Sequence, residues 1–196
     1  MTNRTLSRLG AGIAVLVALA FVAVPASAGQ LKGTFRISAG SYFRMIYPAA
    51  AKSKSKYFSN PYSTDADKTY TLVTGGTGGG LRTGVLQSAP SPAFDAKGDS
   101  LAGAIIRPTS FTGINFGLVT LGTAPNISVS AGRLSGQLIG FTAQWNKLSF
   151  KQGSSNVSGT YNAKTHAYVL TWTSVISGGP FNGFTGYWHL QGKFVS

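Results

Sequence analysis

The sequence predicts an all-β fold, an antiparallel β-sandwich or jelly roll preceded by a cleaved signal peptide. Three observations carry that reading. Apolar and polar residues alternate with a period of two in run after run, which is the pattern of half-buried strands. Gly-, Pro- and Asn-rich turns separate the runs at roughly eight to twelve residues, a spacing that suits sandwiches. Beyond the first 28 residues no amphipathic helical stretch of useful length occurs.

The first 28 residues read as a secretory leader. Arg4 and Arg8 form a positive start, Ile13 to Val24 is an apolar stretch too short for a membrane span, and Ala26-Ser27-Ala28 is a small-residue cleavage site. The organisation predicted is therefore a signal peptide at 1–28 and a single β-sandwich domain at 29–196, with irregular loops at 48–68 and 87–100. The remaining 168 residues suffice for a core without disulfides, and the chain has no cysteine. Thiol chemistry and thiolate metal sites are thereby excluded. No later stretch is long and apolar enough for a transmembrane helix.

Leu31 to Ile37 places Leu31, Gly33, Phe35 and Ile37 on one face and Lys32, Thr34 and Arg36 on the other. Tyr42 to Tyr47 is a second strand, ended by Pro48. The loop that follows holds a basic run, Lys52, Lys54 and Lys56, beside Tyr57, Phe58 and Tyr62. Thr69 to Val73 is a strand. Gly75 to Gly80 is glycine-rich, but the following residues read as a strand, Leu81 to Leu86, and a phosphate cradle needs a helix there. A flexible hairpin or linker is expected instead. Strands are predicted at Leu101 to Arg107, Phe111 to Leu121, Ile127 to Ser130, Arg133 to Phe141, Trp145 to Phe150 and Val157 to Tyr161. Asn162 to Thr165 is a hairpin turn.

The last unit is the clearest. Tyr168, Leu170, Trp172, Ser174 and Ile176 share one face of a first strand. In a second strand Trp188, Leu190, Gly192 and Phe194 face one way, and Tyr187, His189, Gln191 and Lys193 the other. Ser177 to Gly183 supplies the turn between them. Trp172 and Trp188 are assigned to the core; Tyr187 and Tyr161 are candidates for a flat exposed surface.

Charge is the most unusual feature. Seventeen Lys and Arg face four acids, all aspartates, for a formal net charge of +13. Losing the leader removes two arginines and leaves +11. So basic a chain attracts polyanions: acidic polysaccharide, lipopolysaccharide or extracellular DNA. Lys52, Lys54 and Lys56 are the candidate polyanion-binding residues. Asp65, Asp67, Asp95 and Asp99 lie in loops and make a poor basis for paired-carboxylate catalysis. His166 and His189 lack metal-ligand spacing and an orienting acid. No catalytic residue, metal site or cofactor is expected.

The C-terminal third resembles a known group. Gln144-Trp145-Asn146, Gly159-Thr160-Tyr161, Leu170-Thr171-Trp172, Gly178-Gly179-Pro180-Phe181-Asn182-Gly183 and Thr185-Gly186-x-Trp188-x-Leu190-x-Gly192 carry the likeness over about residues 127–194. The segment is similar to exported proteobacterial β-rich proteins of unknown function, many with a PEP-CTERM sorting tail. The resemblance implies an exported, surface- or matrix-associated β protein and supplies no site residues. The Pro-Glu-Pro motif and apolar tail of that group do not follow Phe194, so anchoring by that route is not expected. The function expected is a non-catalytic protein, secreted or at the cell surface, or else periplasmic. It would be structural or adhesive, binding an acidic polymer or self-associating. An outer-membrane β-barrel is the alternative, and a polysaccharide-acting enzyme the third reading.

Overall fold

A computed structural model describes residues 28–51 and 55–196 of the chain. The leader expected at 1–28 falls almost wholly outside the described residues. The described residues form fourteen strands: β1 (Gly29–Gln30), β2 (Thr34–Ile37), β3 (Ser41–Ile46), β4 (Tyr70–Val73), β5 (Gly80–Arg82), β6 (Thr109–Phe111), β7 (Ile114–Thr120), β8 (Asn126–Ser130), β9 (Arg133–Gln137), β10 (Phe141–Trp145), β11 (Leu148–Lys151), β12 (Val157–Tyr161), β13 (Ala167–Val175) and β14 (Thr185–Val195). All pairings are antiparallel. The fold is all-β, as the alternation predicts.

Ten strands make one sheet, in the order β1-β8-β9-β12-β13-β14-β2-β5, with β3 and β4 continuing from β14 beside β2. β14 is the axis. It pairs with β13 along one edge over nine residues, while β3 and β2 share its other edge end to end. The sheet curls until it meets itself. Gly29 and Gln30 pair with β8, Leu31 N–H donates to the Ile127 carbonyl, and the same stretch then pairs with β14 through β2. β11-β10-β7-β6 form a second sheet that packs against the large one, with Phe141 on Trp172 and Trp188.

Between the sheets lies one continuous core. Trp172 and Trp188 stack with ring centroids 5.8 Å apart, and Phe141 of the small sheet meets both edge-on at 5.0 Å. Phe43 packs on Trp188 at 4.6 Å. Each such ring, fully buried, contributes about 3 kcal/mol by the area removed from water. Both indoles need acceptors, and one residue supplies them. Trp172 Nε1 donates to the Gln152 carbonyl at 3.0 Å, and Trp188 Nε1 to Gln152 Oε1 at 2.9 Å.

Three long expected strands divide. The Phe111 to Leu121 run breaks at Thr112-Gly113, where both φ values are positive, and folds into the β6–β7 hairpin. Arg133 to Phe141 splits between the two sheets, with β9 in the large one and Phe141 opening β10 in the small one. Trp145 to Phe150 turns at Asn146-Lys147, φ 50° and 60°, as a tight hairpin requires. Leu101 to Arg107 is no strand. Ile105 and Ile106 are buried there, but the backbone meets the irregular glycine-rich loop rather than a ladder, with one isolated bridge, Gly75 to Ile106.

Candidate functional site

Of the expected polyanion-binding lysines, Lys52 and Lys54 lie outside the described residues. Lys56 is exposed, with its ammonium 5.4 Å from the Tyr57 ring centre. Tyr57 in turn lies on Arg44. The Arg44 guanidinium sits 3.3 Å from the Tyr57 ring centre and 4.2 Å from that of Tyr70. It donates to Tyr70 Oη at 3.0 Å and Thr69 Oγ1 at 2.7 Å, and pairs with Asp67 at 3.4 Å. Arg44 thus clamps the 55–69 loop to β3 and β4 through two ring faces and a carboxylate. Its charge is taken up within the protein.

A concentrated positive surface lies elsewhere, on the outward face of β2, β5 and β14. Alternation puts Lys32, Thr34 and Arg36 on that face. Register then sets Arg82 of β5 opposite Thr34, and Lys193 of β14 opposite Arg36. All four cations are exposed. Lys32, Arg36 and Arg82 line a groove of about 620 Å³, and none of the four aspartates lines it. Arg36 and Lys193 are a like-charge pair directly across two strands, an arrangement that costs about 0.2–1 kcal/mol. The spacing within the first strand signals half of this cluster. Arg82 and Lys193 are distant in sequence and join it only through strand pairing.

Along β14 the same outward face continues from Lys193 through Gln191 and His189 to Tyr187. Tyr42 of β3 stands opposite His189, its ring stacked on the imidazole at 5.0 Å and 8°. Tyr70 meets Tyr42 edge-on at 4.7 Å, and Tyr187 lies 6.0 Å from it. These rings are half-buried, fixed by one another on an otherwise polar face. Burial first, then the neighbouring Tyr187 and Tyr70, pushes the Tyr42 hydroxyl up to about 12. Thr171 and Thr173 of β13 flank His189 and Tyr187. Tyr187 therefore belongs to an aromatic platform. Tyr161 is separate from it, packed on Phe194 with its hydroxyl 3.0 Å from His166 Nδ1.

The aspartates serve turns. Asp65 Oδ1 accepts from the Asp67 N–H, Asp67 Oδ1 from Thr69, Asp95 Oδ1 from Asp99 and Asp99 Oδ1 from Asn115. Among the described residues no three His, Cys, Asp or Glu are grouped to hold a metal ion. The glycine-rich loop spends its donors internally: Gly76, Thr77 and Gly78 N–H bond the carbonyls of Ile105, Gly103 and Ala104. It is pinned to the 103–106 segment by these bonds, which replaces the flexible linker expected from composition. Trp145, half-buried, donates to the Phe111 carbonyl at 2.8 Å and packs at the core rim. No helix among the described residues is long and apolar enough to cross a membrane.

No family model, curated protein or solved structure matches the chain.

Proposed function

We propose that the protein is a non-catalytic, exported binding protein that associates with an acidic extracellular polymer through the outward face of β2, β5 and β14. The observation that carries this reading is the cluster of Lys32, Arg36, Arg82 and Lys193, whose groove no aspartate lines. A cross-strand like-charge pair lowers stability in the free protein and is relieved when an anion bridges it. The wider charge balance agrees. Among the described residues Arg44–Asp67 is the one ion pair, and Lys32, Arg36, Arg82 and Lys193 are exposed. The aspartates' occupation in turns favours binding over carboxylate catalysis. Against a membrane barrel stands the direction of the strands. Trp172, Trp188, Leu170 and Leu190 point into the core, while Thr171, Thr173, His189 and Lys193 point out, the reverse of a lipid-facing band.

The test is retention on immobilised dextran sulfate, with neutral dextran as the control. Wild type should be held at low salt and released as salt rises. Each cation in contact contributes roughly 0.7–0.9 to the slope of log affinity against log salt. Replacing Lys32, Arg36, Arg82 and Lys193 by Gln should therefore flatten that slope by about three. The same number of changes at Lys97, Lys147, Lys151 and Lys164 should leave most of it. Equal losses in the two variants would show that net charge alone acts, and the groove would have no special role.

A further inference from the structure

We infer that the ligand is an acidic glycan lying lengthwise along β14, with a sugar ring on Tyr187 and anionic groups on Arg36 and Lys193. The inference rests on the polyanion reading and adds the ligand's class and direction. Outward side chains on one strand recur about every 6.7 Å, so Tyr187 and Lys193 are roughly 20 Å apart. An extended chain of several sugar residues spans that distance.

The two ends of the strip ask for different chemistry. At one end two cations, Arg36 and Lys193, face each other across β2 and β14. At the other, Tyr42 is held between the His189 stack and the Tyr70 edge, and Tyr70 by the Arg44 clamp. Rings fixed in this way lose little conformational freedom when something stacks on them. On the β13 side the outward face is hydroxyl-bearing, with Thr171 and Thr173 next to His189 and Tyr187, while on the β3 side Arg44, paired with Asp67, stands opposite Tyr187. Gln191 bridges the two ends, its amide already oriented by the Ala39 carbonyl and the His189 ring. A chain that carries ring faces, many hydroxyls and spaced negative charges complements all of these together. A nucleic-acid strand would also use the rings, the cations and the threonine hydroxyls, so oligo-dT is the competing probe.

The experiment compares three probes on the full-length protein: an oligogalacturonate, inorganic polyphosphate, which has no rings, and oligo-dT. Tyr187→Leu keeps an apolar body on the sheet and removes the ring; Tyr187→Phe keeps the ring; Lys193→Gln removes a charge. Circular dichroism melts check that each variant is folded. Oligogalacturonate affinity should fall at least tenfold in Tyr187→Leu and stay within about twofold of wild type in Tyr187→Phe. Polyphosphate affinity should be unchanged in both, and Lys193→Gln should weaken both anions. If polyphosphate binds in a Lys193-dependent way but Tyr187→Leu leaves oligogalacturonate unaffected, the glycan strip is wrong while the polyanion reading survives. If wild type binds neither anion, both fall. Tighter binding of oligo-dT than of oligogalacturonate, lost in Tyr187→Leu, would assign the strip to single-stranded nucleic acid and overturn the proposal.

Discussion

Replacing Gln152 by Met tests how the core is held together. Gln152 is 5% exposed and Trp188 fully buried, and their side chains meet at 2.9 Å. Methionine fills nearly the same volume but gives the indole N–H no oxygen. The bond from Trp172 is kept, because it uses the backbone carbonyl of residue 152. The loss is thus a single buried donor left unpaired, which costs about 1–3 kcal/mol. For a domain of this size that lowers the melting temperature by roughly 2–4 °C per kcal/mol. Urea unfolding followed by tryptophan fluorescence gives the free energy directly. The double variant with Trp188→Phe sharpens the test, since with no indole N–H the Gln152→Met change should lose most of its effect. A cost below about 0.5 kcal/mol for Gln152→Met alone, or full additivity in the double variant, would refute the idea that this amide holds the tryptophan pair.

Gly192→Ala should destabilise by roughly 2–4 kcal/mol, because an added Cβ would lie 1.9 Å from the Arg36 carbonyl oxygen, a backbone atom that cannot swing aside; thermal melting measures it. Arg44→Met should release the 55–69 loop, so limited proteolysis should cut there faster while the tryptophan fluorescence of the core stays native. Stability should also fall at alkaline pH. Tyr42 is raised to about 12, and burial raises Tyr168 as well, so the folded state holds both protons above the ordinary tyrosine value near 10. Their contribution is complete below about pH 10 and is lost as pH climbs through the folded values, and Tyr42→Phe should make the decline shallower in a pH series of urea melts.

The alternation of apolar residues determined much of this protein by itself. It marked β13 and β14 with their inward tryptophans, the outward row of Tyr187, His189, Gln191 and Lys193, and the pairing of Lys32 with Arg36 on one face. These follow from the geometry of a single extended chain, where successive side chains must point to opposite sides. Positive φ at Asn146-Lys147 and Thr112-Gly113 was less legible, because the apolar pattern runs on through both turns. Tertiary structure alone decided which strands are neighbours. Nothing local places Arg82 beside Thr34, Tyr42 on His189, or Gln152 beneath two indoles; each follows from register between segments far apart in the chain. The same holds for Leu101 to Arg107, whose composition suits a strand but whose backbone found a glycine loop as its partner. Scattered cations became a cluster for that reason: strand pairing brings the second, fifth and last strands together, and charge density is a property of the surface so formed.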